Sequence, residues 1–208
     1  MRHHQVLLAA GMFFAAIAFT SCAPPPKPGL HGEQGFKEAV FDQKTLEFYM
    51  NGAGSEGLRF YNVRRFRDDV EGTAMVMGTT KDGNDNYGEF GPHYRLSDRV
   101  TGTIVTYFVC NEARALKSVQ WVQEAHEASY AANFKEADVS ALLALEDCNG
   151  VRMNPERSTT DGEHWSMRMT AVRIVDDEVR DLRGSVFCDE PCPTLCGIEP
   201  RYYLNMRY

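Results

Sequence analysis

Residues 101–132, TGTIVTYFVC NEARALKSVQ WVQEAHEASY AA, contain the change of period that sets the fold class. From Thr101 to Cys110 the chain puts Ile104, Thr106 and Phe108 on one face and Val105, Tyr107 and Val109 on the other. Both faces are apolar enough for a central strand. Asn111 can cap a helix, and beyond it Leu116, Val119, Val122, His126 and Tyr130 recur every three or four residues, predicting that helix to about residue 132. A second helix is predicted from about Asp138 to Cys148 on Ala141, Leu142 and Leu145, stopped by Asn149-Gly150.

Strand signals lie on both sides of this helical stretch. Leu58 to Arg67 and Thr73 to Thr80 flank Asp68-Asp69 and read as a hairpin. His164 to Val175 alternates Trp165, Met167, Met169 and Ala171 with polar residues, turns at Asp176-Asp177 and returns through Val179, Leu182, Val186 and Phe187. Residues 36–50 carry two signals: a helical stripe of Phe36, Val40 and Lys44, and a strand-like LEFYM running into Asn51-Gly52. Residues 81–99 read as a long polar loop. Strands, two helices and strands again predict an α+β fold, an antiparallel sheet with a two-helix insertion packed on one face.

The chain begins with an address. Arg2 precedes an apolar run from Val6 to Phe19, and Thr20 and Ser21 lead into Cys22. A charged start, an apolar centre and small residues make a secretory signal, and the run is shorter than the roughly 20 residues a membrane span needs. Phe19-Thr20-Ser21-Cys22 resembles the lipobox of bacterial lipoproteins, with Phe19 where that family usually has Leu. The resemblance covers the leader alone. It implies cleavage before Cys22, acylation of that cysteine (three chains in diderm bacteria, palmitate among them) and, because Ala23 rather than Asp comes next, sorting to the outer membrane. An ordinary secretory leader would instead leave Cys22 as a free or bridged thiol. Pro24 to Pro28 and the Gly-rich residues beyond form a semi-rigid spacer. The expected organisation is a signal at 1–21, acylated Cys22 with a linker over 22–35, and one globular domain at 36–208 ending in a Cys-rich tail.

The formal net charge of −7 argues against nucleic acid and against an electrostatic hold on anionic lipid. Export also sets the redox setting. Of six cysteines, Cys110, Cys148, Cys188, Cys192 and Cys196 remain besides Cys22, and an oxidising compartment predicts bridges. A helical hairpin would return the chain to its starting strand and pair Cys110 with Cys148, leaving Cys188 with Cys196 and Cys192 over. A rival pairing ties Cys110 or Cys148 to the tail.

Four constellations invite chemistry. Cys188-x3-Cys192-x3-Cys196 has thiolate spacing, but metal sites mostly use Cys-x2-Cys pairs, so no metal or cofactor is expected there. Asp82 to Glu89 alternates oxygen ligands as an EF-hand loop does, yet Tyr87 stands where Gly is needed and His93 where a bidentate Glu is needed. That leaves a solvated turn or a looser calcium loop. Cys110 at a helix start, with His126 or His164 as base, resembles the envelope cysteine peptidases that cut cell-wall peptides, without their Asp-Cys-Ser-Gly box. Phe60, Tyr61, Tyr94, Tyr107, Trp121, Trp165, Tyr202 and Tyr203 could stack on glycans or fill a core. The expectation is a lipid-anchored envelope protein that binds a protein or peptidoglycan partner, on the periplasmic or the surface side. Its alternative is a cysteine hydrolase built on Cys110.

Overall fold

The computed structural model describes residues 35–86, 93–97, 108–125, 131–157, 165–176 and 178–188. Over these residues the chain adopts an α+β fold with two antiparallel sheets and three helices. In order the elements are β1 (Ala39–Asp42), α1 (Gln43–Met50), β2 (Gly57–Val63), β3 (Thr73–Thr79), β4 (His93–Leu96), β5 (Phe108–Asn111), α2 (Glu112–Glu124), β6 (Ala131–Lys135), α3 (Glu136–Leu143), β7 (Gly150–Arg157), β8 (Trp165–Val175) and β9 (Glu178–Phe187). One sheet has the order β1-β7-β8-β9, the other β5-β4-β3-β2-β6.

The hairpins form where alternation placed them. β2 and β3 pair in register from Gly57↔Thr79 to Val63↔Thr73. β8 and β9 pair about the Asp176 turn, with a bulge near Thr170. The ambiguous stretch 36–50 forms a strand and a helix, but in the reverse of their signals: Val40, read on a helical stripe, lies in β1, and the strand-like LEFYM lies in α1. β1 runs to Asp42, whose carboxylate accepts from Thr45 N at 2.7 Å and starts α1. Asn111 caps α2 as expected, accepting from Arg114 N at 3.1 Å.

Three differences come from strands outside the segments where the sequence predicted them. Residues 131–135, AANFK, form β6 rather than the end of a helix and pair with β2. His93–Leu96 forms β4 inside the expected loop, because Tyr94 and Leu96 alternate into the core. Gly150–Arg157 forms β7 between β1 and β8 despite Pro155. Of the strand expected from Thr101, only Phe108 onward lies within the described residues, and residues 126–130 of the first expected helix, with His126 and Tyr130, lie outside them.

β6 also overturns the expected disulfide. It separates α2 from α3, so the chain does not double back to its starting strand. α2 carries it from β5 at one edge of the five-stranded sheet to β6 at the other, and α3 passes it on to the four-stranded sheet. Cys110 therefore ends in one sheet and Cys148 just ahead of β7 in the other. No disulfide joins Cys110, Cys148 and Cys188 to one another. The partner expected for Cys188, Cys196, lies outside the described residues, as do Cys192 and Cys22.

The sheets share one core. Phe41 of β1 meets Phe60 of β2 edge-on with ring centroids 5.2 Å apart, and Phe60 meets Phe134 of β6 at 5.8 Å. Gly78 lets α1 close over β3: a Cβ there would lie 2.9 Å from the Tyr49 carbonyl oxygen. One hydroxyl ties the sheets at a strand edge. Ser97 Oγ accepts from Val40 N at 3.1 Å and donates to Val40 O at 3.0 Å, while Thr73 Oγ1 donates to Ser97 O at 2.6 Å. β1 pairs with β7 on its other side, so Ser97 satisfies backbone groups that no strand reaches. Ser97→Ala should lower the unfolding free energy by about 1–3 kcal/mol, because both Val40 groups stay buried without a partner. An unchanged urea midpoint would refute the tie.

Candidate functional site

The polar centre of the molecule begins with an arginine in a buried strand. Arg59 and Tyr61 are two residues apart on β2 and so project from the same face of the sheet. Arg59 is 1 % exposed and Tyr61 1 %. A guanidinium in that position must be paired and hydrogen-bonded, since an isolated buried charge is too costly to keep. Its counter-ion comes from the segment 80–86, which folds back as a strap over the end of β3. Thr79 and Asp85 form an isolated bridge, Asn86 N donates to Gly78 O at 2.8 Å, and Gly83 turns the strap with φ 72°. Asp85 thereby enters the core, 4 % exposed.

The network closes on itself. Arg59 Nη1 donates to Asp85 Oδ1 at 2.7 Å, Nε to Asn133 Oδ1 at 2.6 Å, and Nη2 to Gly83 O at 2.5 Å. Tyr61 Oη lies 2.6 Å from Asp85 Oδ2, and Tyr94 Oη donates to the same oxygen at 3.1 Å. Burial raises the Asp85 carboxyl above its ordinary range, while Arg59 and the two phenols oppose that shift. Burial, with Asp85 beside it, pushes the Tyr61 phenol well above its usual value. The sequence places Asp85 in a solvated turn or a calcium loop. Its carboxylate is instead occupied by Arg59, Tyr61 and Tyr94, and no cluster of three or more His, Cys, Asp or Glu that could hold a metal occurs among the described residues.

Arg59 also fixes the walls of an open groove of about 650 Å³. The strap forms one wall with Thr79, Thr80, Lys81 and Gly83, and the corner from β6 into α3 forms the other from Asn133 to Ala137, with Glu56 alongside. Through Nε and Nη2 the guanidinium holds Asn133 on one wall and Gly83 on the other.

The thiol expected at the helix start behaves differently from an activated nucleophile. Cys110 is 6 % exposed, its Sγ lies 3.8 Å from Met75 Sδ, and burial pushes it up to about 12. Desolvation outweighs the attraction of Arg114. His126 and His164 lie outside the described residues. Cys148 is half-buried and donates to Gly150 O at 3.3 Å.

The aromatic residues divide. Phe60, Tyr61 and Tyr94 fill the core, whereas Tyr107, Tyr202 and Tyr203 lie outside the described residues. On the surface, Arg114 lies over both Phe66 (5.0 Å) and Trp121 (4.7 Å), and Arg65 also lies over Phe66 (5.2 Å). Trp165 carries Arg157 at 4.1 Å. These three surface rings each face guanidinium groups. No protein-family model, curated protein or solved structure matches the chain.

Proposed function

We propose that this chain is a lipid-anchored cell-envelope protein that works by binding, with Cys22 as the acylated first residue of the mature form and the outer membrane of a diderm as its address. The leader supports the anchoring: a basic start, the apolar run Val6 to Phe19, and a cysteine followed by a proline-rich spacer. Several acyl chains on one cysteine hold firmly where one would not. The observation that carries the binding role is the closed network. The charged groups gathered by the fold satisfy one another and brace two walls of a groove, which is how a preorganised recognition surface is built. Its partner is an envelope protein or a peptidoglycan component.

Two measurements test this. Palmitate labelling of the full chain should mark the wild type, while Cys22→Ala should lose the label and leave an uncut or soluble product. An unmodified N-terminal peptide beginning at any other residue would sink the anchor. Iodoacetamide applied to the native, unreduced chain should alkylate Cys148 and spare Cys110, whose raised thiol stays protonated. Rapid labelling of Cys110 would overturn the binding role in favour of thiol chemistry.

A further inference from the structure

We infer that the groove between the strap and the β6–α3 corner takes a small zwitterionic ligand, a free peptide end or amino acid carrying both an ammonium and a carboxylate. This deepens the binding role proposed above and rests on it.

Charges of both signs line the groove. Several arginines elsewhere in the fold sit against carboxylates: Arg65 with Asp69, Arg67 with Glu124, Arg152 with Glu38 and Asp181, Arg168 with Glu156, and Arg173 with Asp147. Lys81, Lys135, Glu56 and Glu136 are all exposed, and among the described residues none of them makes an ion pair. Exposed Lys44, Lys117, Glu146 and Arg183 make no ion pair among the described residues either; what the groove adds is both signs in one depression. Two cations and two anions that share a groove without pairing leave donors and acceptors for a guest that brings both charges. A singly charged ligand would meet repulsion from one pair, and an apolar one would desolvate all four without return.

Size and rigidity agree with this. A volume of about 650 Å³ falls in the range of small-molecule sites, roughly 300–1,000 Å³. Asn133 and Gly83 on facing walls are both held by the buried Arg59, so the groove need not be organised at the moment of binding. The start of α3 adds polar capacity on the same wall, because its N-cap, Lys135, makes no side-chain capping bond.

The probe is trialanine with free ends, titrated at millimolar concentration into the isotope-labelled full chain in detergent, with amide shifts as readout. Shifts should be confined to residues 79–83 and 133–137. Acetylating the amine or amidating the carboxylate should each weaken binding by about tenfold or more, since a charge-assisted contact is lost each time. The variant Glu56→Gln/Glu136→Gln should lose discrimination against the acetylated peptide, and Lys81→Ala/Lys135→Ala should lose discrimination against the amidated one. All four positions are exposed, so both variants should fold as the wild type does. Equal binding of the doubly capped peptide, or no shift in either segment, would overturn the ligand class. Cross-linking of the anchored chain to envelope partners separates the two levels. If cross-links persist while trialanine fails, only this inference falls, and if cross-links are absent too, the binding role falls with it.

Discussion

Asp85→Ala should lower the unfolding free energy by about 3–5 kcal/mol, a large share of the 5–15 kcal/mol that a domain possesses. The substitution removes a carboxylate that Arg59, Tyr61 and Tyr94 all contact. It strands a guanidinium that is 1 % exposed and cannot turn to water. It also frees the strap, whose place over β3 depends on Asp85 reaching inward. Asp85→Asn keeps an acceptor for the phenols but still leaves the Arg59 charge uncompensated, so it should fall between alanine and the wild type. The informative variant is Arg59→Met/Asp85→Leu. Removing both charges together relieves desolvation on both sides, and apolar replacements of buried pairs are often neutral or stabilising. The double variant should therefore recover most of the single-variant loss, giving a coupling energy of about 2 kcal/mol or more in a double-mutant cycle. A single-variant loss below about 1 kcal/mol, the range of an exposed pair, would show that water reaches the site.

That ion pair also marks the limit of what could be read in the sequence. The β2–β3 and β8–β9 hairpins were legible because their residues alternate and Asp pairs punctuate them, and α2 was legible because Asn111 and the apolar stripe agree. Elements without a period of their own were not. AANFK is short and alanine-rich, and it became β6 only because β2 offered an edge. MNPER in β7 is polar and contains Pro155, yet pairing with β1 and β8 holds it. Tertiary context overrides weak strand propensity in such cases. Nothing local distinguishes Asp85 from Asp82 in DGNDN. The usable signal lay elsewhere, in Arg59 amid Leu58, Phe60 and Tyr61: a guanidinium in a strand buried on both faces requires a carboxylate from somewhere. The disulfide expectation failed for another reason. It took an oxidising compartment as its premise and a helical hairpin as its geometry, and the intervening β6 removed the geometry.

High pH should unfold this protein cooperatively, with a midpoint near about pH 11, and three buried acids are responsible. Burial is the first cause of the raised values of Cys110, Tyr49 and Tyr61. In the unfolded chain a thiol titrates near about 8.5 and a phenol near about 10, so above those values the unfolded state releases protons that the native state retains. Stability contributed by keeping these groups neutral is thus fully present below about pH 8.5 and is lost as pH rises toward the folded-state values. Each group contributes a slope of up to about 1.4 kcal/mol per pH unit, so by about pH 11 the three together can remove several kcal/mol. Tyr49 allows the test to be sharpened. Its hydroxyl is buried with no hydrogen-bond partner among the described residues, so it contributes a desolvation cost and no compensating bond. Tyr49→Phe should therefore be neutral to stabilising by about 1 kcal/mol at pH 7, and it should move the alkaline midpoint upward by removing one of the three slopes. Tyr61→Phe, which takes a donor away from Asp85, should be destabilising at pH 7 although it removes the same kind of slope. Tyrosinate absorbance and near-ultraviolet circular dichroism, followed together through the titration, provide the check. If the two signals separate, with all tyrosines ionising while tertiary structure persists, Tyr49 and Tyr61 are not held neutral by the fold.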